Sequence, residues 1–285
     1  MYPPVVTRNP EAVEAEVQAA YLKAFPNGDR EAVPRAFGWT VECFAGRYKD
    51  YQAIDAPYHD LEHTLQGTLC LARLLLGRHR TATEPLATPR MFQLGIVAIL
   101  MHDTGYLKKR GDTQGTGAKY TVTHVHRSAQ FAAELLAEKG FGSAEIKAVQ
   151  NMIHCTGLNT NLTAIPFQSD LEKVVGFALA TADLLGQMAA SDYADKLPLL
   201  FSEFAEAARF ANDPAHFVSM YSSAEELITK TPDFWRGFVK PKLDHDFAGV
   251  YRFLNDPYPD GTNEYLDRVE ANMDRLRGHA TATVT

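Results

Sequence analysis

The chain has 285 residues and a mass of 31.6 kDa; 46% of its residues are hydrophobic and 22% charged, with a formal net charge of -7 and a pI near 5.8. These are ordinary globular values for a chain long enough to bury a large core, and the acidic balance argues against a protein made to wrap nucleic acid, which would show a basic face. No apolar stretch reaches the roughly 18 residues that a membrane helix needs, and Met1-Tyr2-Pro3-Pro4 lacks the basic-then-apolar profile of a signal peptide, so cytoplasmic residence with no membrane contact is the expectation.

In chain order, Glu11 to Phe25 alternates apolar and charged residues with a helical period and stops at Pro26-Asn27-Gly28. Leu61 to Leu76 carries Leu65, Leu69, Ala72 and Leu76 on one face and ends at Gly77. Further helices are predicted for Pro89 to His102, Thr123 to Lys139, Ser143 to His154, Leu171 to Ala190, Ala194 to Ala211, Ala215 to Thr229 and Asn263 to Arg277, with Gly278 to Thr285 as a disordered tail. No run of Val, Ile and Thr alternates for long between turn residues, so strands are not expected. The segments 78–90 and 155–170, rich in Thr, Pro and Gly, read as loops within one domain spanning 1–285. Aromatics after about residue 200, including Phe234, Trp235, Phe238, Phe247, Tyr251 and Phe253, are expected to serve packing, with a base-stacking pocket as the other reading.

Acids and histidines punctuate these helices: His59, His63, the adjacent pair His102-Asp103, His126, His154 and Asp183. The apolar run Leu94 to Met101 delivers His102 and Asp103 directly before Gly105, and Asp183 sits within the apolar run Val174 to Met188. Such groups cost several kcal/mol, on the order of 2–7, to bury without partners. Imidazole and carboxylate together are the donors of a metal centre. His126 opens a helix whose buried side holds Ala129, Ala133 and Leu136, and His154 lies near a helix end before Gly157 and Asn159. Helices that bring ligands from five segments to one point must pack around it, so the expected architecture is an all-α bundle with metal at its centre. Cys43, Cys70 and Cys155 are widely spaced, odd in number and without a Cys-x-x-Cys pair, which excludes a disulfide framework and a zinc ribbon.

The order His63, His102-Asp103, His126, His154, Asp183 resembles the HD superfamily of metal-dependent phosphohydrolases. Tyr58-His59-Asp60-Leu61-Glu62-His63 is similar to the Tyr-His-Asn-x-x-His opening of class I cyclic-nucleotide phosphodiesterases, with aspartate in place of asparagine. The resemblance covers residues 58–187, within an HD-like core of about 50–200 that carries helical extensions at both ends. It implies a helical bundle around two divalent ions (Zn, Mn, Mg or Fe). His63, His102, Asp103 and Asp183 would hold one ion, Asp103 would bridge to a second, and His126 and His154 would complete that second site. The implied reaction is hydrolysis of a (cyclic) nucleotide phosphodiester by a metal-bridged hydroxide, with His59 giving a proton to the leaving oxygen.

The same ligand set also resembles the di-iron oxygenases of that superfamily, and a non-catalytic metal- or nucleotide-binding regulator is the third reading. Lys108, Lys109, Arg110, Lys119 and Arg127 cluster near the His-Asp pair, either as a solvated charge run or as a funnel for a small anionic phosphoester. Lys109, Arg127, Gln187 and Tyr106 are the candidate substrate contacts; Tyr106 stands where the phosphodiesterases carry a histidine. Gly111 to Gly117 has the composition of a mobile lid. Gln187 and Glu62 are candidates to orient ligands, and Asp60 to act on His59. The sequence leaves room for a homodimer.

Overall fold

A computed structural model describes residues 2, 4–211 and 221–282. Ten α-helices and no strand occur among them, so the chain is all-α. Helix α1 (Pro10–Ala24) starts where Asn9 Oδ1 accepts the N–H groups of Glu11 and Ala12 and Pro10 presets the first turn. Helix α2 (Ala32–Phe44), not anticipated from the sequence, buries Val33, Ala36, Phe37, Cys43 and Phe44.

Helix α3 (Leu61–Arg80) is the axis of the bundle. It packs against α1, α4 (Pro89–Met101) and most extensively α7 (Asp170–Met188), and is therefore buried on nearly every side. At its crossing with α7 a Cβ on Gly186 would lie 2.8 Å from the Gln66 backbone carbonyl group and from Gly67 Cα, so the two backbones touch there. Helices α5 (His124–Glu138) and α6 (Ser143–His154) pack on one another and against α4, α6 also packs against α7, and α8 (Tyr193–Phe210) leaves α7 at 111°. Pro198 lies inside α8 without ending it.

Helix α9 (Ala224–Phe234) begins nine residues later than the expected Ala215 start, part of which, 215–220, lies outside the described residues. Helix α10 (Glu264–Ala282) runs through Gly278, so the expected tail is helical as far as Ala282, and 283–285 lie outside the description. Between them come two π-helical turns, Trp235–Val239 and Lys242–Asp246, and a 3-10 turn, Val250–Leu254. The aromatics here are packing groups: Trp235 donates to Glu270 Oε1 at 2.7 Å, and Phe247 lies 5.8 Å from the Phe177 ring of α7.

The Gly111–Gly117 segment is tied down rather than left as a lid. Glu206 of α8 accepts from the Thr116 N–H (2.5 Å) and hydroxyl (2.8 Å), Asp55 accepts from the Gly117 N–H at 2.7 Å, and Lys108 donates to the Gly115 carbonyl at 2.6 Å. Upstream, Arg110 N–H donates to the Asp50 carbonyl and Gln52 N–H to that of Lys108. Among the described residues no single helix is long and apolar enough to cross a membrane.

Candidate metal centre

Three helices bring four side chains to one buried point. His63 projects from the first turn of α3, which Asp60 caps through a 2.8 Å bond to the His63 N–H. His102 and Asp103 end α4, and Asp183 lies in the middle of α7. His63 Nε2 stands 3.1 Å from Asp103 Oδ2 and 3.2 Å from Asp183 Oδ1; His102 Nε2 stands 3.2 Å and 3.4 Å from the same two oxygens. His63, His102, Asp103 and Asp183 were all expected ligands.

The other face of Asp103 meets a residue the sequence reading passed over. His124, the first residue of α5, places Nε2 3.9 Å from Asp103 Oδ1. The approach depends on Gly105: a Cβ there would collide with the His124 carbonyl. His126, two residues on, is turned about 200° around the same helix. It is exposed and faces His154, ring centroids 6.4 Å apart, and among the described residues neither ring comes within ion-pair distance of a carboxylate. The structure therefore does not bring His126 and His154 into the group. The clue lay in periodicity: His124 precedes the buried Ser128 and Ala132 by four and eight residues, whereas His126 falls on the solvent side.

Protons on the outer nitrogens determine what the inner ones can do. His102 Nδ1 is 2.6 Å from the Ile99 carbonyl and His124 Nδ1 2.6 Å from that of Thr121. A carbonyl only accepts, so both Nδ1 atoms carry hydrogen and the neutral rings present bare Nε2 lone pairs to Asp103. His102 Nε2 and Asp103 Oδ2 are indeed buried with no hydrogen-bond partner. Lone pairs facing lone pairs in a buried site call for a cation between them, either protons or a metal. Without metal the protons serve. Burial lowers the pKa of His63, but hydrogen bonds and charge from Asp103 and Asp183 outweigh it and push it up to about 10. His102 is raised by the same carboxylates against the same burial. Asp103 and Asp183, which burial alone would raise, are held well below the usual carboxylate range by His102 and His63. The donor set fits a divalent ion, which would replace these protons.

His59 lies beside this group, and its ligand nitrogen, that of His63 and an Asp103 oxygen fall within 4.8 Å of one another. Its partner is not Asp60, which is committed to capping α3, but Glu203 of α8. Glu203 Oε2 is 2.5 Å from His59 Nδ1, and Oε1 accepts from the Tyr58 N–H (2.7 Å) and the His59 N–H (3.2 Å). Burial would raise the Glu203 pKa, but the charge and hydrogen bonds of His59 and the two N–H groups hold it below the usual range, so it is ionised. Glu203 shares a helix face with the buried Ala207, the one sign in the sequence that this carboxylate points inward.

Gln187 orients the Asp183 carboxylate: it accepts from the Tyr58 hydroxyl at 2.7 Å and donates to Asp183 Oδ1 at 3.3 Å. Glu62 faces away and binds Thr7, Arg8 and Lys196. Tyr106 is fully buried and stacks on both His59 (4.5 Å, 13°) and His124 (4.7 Å, 23°), which makes it a spacer between two imidazoles. Arg127 bonds the carbonyls of Gly105 (2.7 Å) and Leu107 (2.9 Å) and covers the Tyr120 ring, bracing the turn after the His-Asp pair. Lys108 pairs with Asp55 and Lys119 with Asp112, while Lys109 is exposed beside the Tyr51 ring.

Residues 111–252, just under half of the chain, are similar to a family described as Npun_R2479-like. The matched part contains His124, Asp183 and Glu203 and leaves out His59, His63, His102 and Asp103. No curated protein matches the chain.

Proposed function

We propose that the chain is a metal-dependent phosphoric ester hydrolase acting on a small phosphodiester of the (cyclic) nucleotide class. The observation that carries this reading is the set of buried, inward-facing donors on His63, His102, Asp103 and Asp183, with a second carboxylate oxygen of Asp103 turned toward His124. Those residues would hold the ion, and Asp103 Oδ1 with His124 offers the start of a second position. Divalent ions held there would lower the pKa of a bound water and would draw charge from the phosphoryl oxygens.

The protein's own groups do the rest. Glu203 fixes the His59 ring by its Nδ1 beside the His63 and Asp103 donors, where a protonated His59 would give its proton to a leaving alkoxide. Gln187 locks the Asp183 carboxylate, and the carbonyls of Ile99 and Thr121 lock the His102 and His124 tautomers, so the donors are preorganised. Arg127 and Lys108 are spent on the loop, which leaves Lys109 and Arg110 as the exposed cations near it.

The test is elemental analysis of anaerobically purified protein followed by hydrolysis of bis(p-nitrophenyl) phosphate and 3′,5′-cyclic nucleotides with zinc, manganese or magnesium. Bound divalent metal with ester hydrolysis abolished in Asp103→Ala is the expected result. Protein holding iron that consumes oxygen and cleaves no ester would overturn the hydrolase in favour of an oxygenase.

A further inference from the structure

A cavity of about 600 Å³ opens beside α3, between residues 4–8, the end of α7 and the first turns of α10, and none of the four metal donors lines it. Volumes of about 300–1,000 Å³ are those of small-molecule sites. Its walls are mixed: Val5, Leu69 and Ala189 are aliphatic, Tyr265 is aromatic, and Gln66 and Asn272 are polar and more than nine-tenths buried.

Gln66 is only 7% exposed, yet among the described residues its side-chain amide has no hydrogen-bond partner. Asn272 spends its amide nitrogen on the carbonyls of Met188 (2.9 Å) and Ala190 (2.8 Å), which leaves Oδ1 without a partner among the described residues. Neither amide is among the fully buried polar atoms without a partner, so both open to the solvent of the cavity. Two amides that line one cavity without a protein partner are available to a ligand in place of water.

The charged groups around the cavity are already matched. Arg8 bridges Glu62 (3.1 Å) and Asp192 (3.2 Å), and Lys196 reaches Glu62 as well (2.8 Å). Arg268 pairs with Glu264, and Arg73 bonds the Tyr265 hydroxyl and lies 4.4 Å over the Tyr2 ring. What is unmet is a donor and acceptor on Gln66 and an acceptor on Asn272, with apolar surface around them.

We infer that this cavity is a second binding site, separate from the metal centre, for a neutral planar molecule with an amide-type donor–acceptor edge, of nucleoside size. The Gln amide pairs with such an edge through two parallel hydrogen bonds, as it does with adenine, and the matched guanidinium groups give no reason for the ligand to carry a phosphate. Gln66 and Gly186 come three residues after His63 and Asp183 on helices whose backbones touch, so the occupant bears on the two helices that hold the metal donors.

Calorimetric titration of the full chain with adenosine, uridine and inosine, and with AMP as the charged control, tests this. The expected result is that at least one nucleoside binds, that AMP binds no tighter than adenosine, that Gln66→Leu weakens binding about tenfold or more, and that Asp103→Ala leaves it unchanged. Gln66→Glu, which keeps the shape and one acceptor but replaces the amide donor, guards against a packing defect in Gln66→Leu and should also weaken the neutral ligand. No binding by any nucleoside would overturn the inference and leave the cavity as a water site. Binding unchanged in Gln66→Leu, or lost in Asp103→Ala, would overturn it by locating the nucleoside elsewhere, and neither result would touch the metal-dependent reading.

Discussion

Replacing Glu203 by glutamine tests the least expected contact in the site. Oε1 accepts two backbone N–H groups, from Tyr58 at 2.7 Å and His59 at 3.2 Å, and a glutamine oxygen in that position keeps both. The new amide NH₂ then faces His59 Nδ1, 2.5 Å from where Oε2 stood, and two donors cannot share that space. The ring must therefore carry its hydrogen on Nε2 in the neutral form and loses its charged partner. The lost charge-assisted bond is worth about 1.5–3 kcal/mol, partly recovered by the amide's bond to the bare Nδ1, so a net destabilisation of about 1–2 kcal/mol is expected in urea titrations. The larger effect is on rate. General acid catalysis contributes about 10²–10⁴-fold, so an alkyl phosphodiester should be cleaved about 10²–10³-fold more slowly. A p-nitrophenyl ester, whose phenolate leaves without a proton, should slow by less than about tenfold. Metal content should not change. Equal slowing of both esters would refute the role given to the Glu203–His59 pair, as would an unaffected alkyl ester.

Other expectations follow from the same geometry. His63 carries a proton up to about pH 10 in the metal-free protein, so zinc binding at pH 7.5 should release protons; calorimetry in buffers of different ionisation enthalpy measures this, and affinity should rise with pH. The sign for stability is set by the same shift. A raised imidazole pKa stabilises the metal-free fold fully below the unfolded value near 6.5 and loses that contribution as pH rises toward 10, while the depressed Asp103 and Asp183 lose theirs as pH falls into the acid range. Metal-free protein should thus show a urea midpoint that declines from pH 7 to 10, and a flat midpoint over that span would contradict the pairing. The thiols of Cys43, Cys70 and Cys155 are pushed by burial to about 12, so an aromatic disulfide reagent at pH 8 should react only as the protein unfolds. Gly186→Ala should cost about 1–3 kcal/mol or more, because its Cβ would press on the α3 backbone at Gln66; urea unfolding measures it.

How far the sequence could be read depended on the kind of signal. Helices such as α3 and α7 announce themselves because a 3.6-residue apolar period over many turns has few alternatives, and in the structure Asp60 and Ser169 cap their starts through local hydrogen bonds. Helix α2 was missed, although its buried Phe37 and Phe44 show a clear inward face in the fold. Within the site, His102 and Asp103 stand out because the chain carries two ionisable groups at the end of an apolar helix, where they need partners, and Asp183 for its place inside another.

The choice between His124 and His126 was not open to a reading by order along the chain, since both fall at the start of one helix. The packing of α5 against Gly105 decides which ring turns inward. Asp60 looked like the partner of His59 because it is adjacent, but an adjacent carboxylate at a helix start is better used by the free backbone N–H groups, and Glu203, more than 140 residues away, reaches the ring instead. The basic cluster around residues 108–127 likewise turned out to be bound largely to local carbonyls and carboxylates.

The sequence by itself therefore determined the class of the fold and the chemistry of the donors, because periodicity, caps and buried charge are local facts. Which donors meet and which acid supports His59 were decided only by tertiary structure. Those properties depend on distances between helices far apart in the chain, and a rotation of one helix by two residues exchanges one histidine for another.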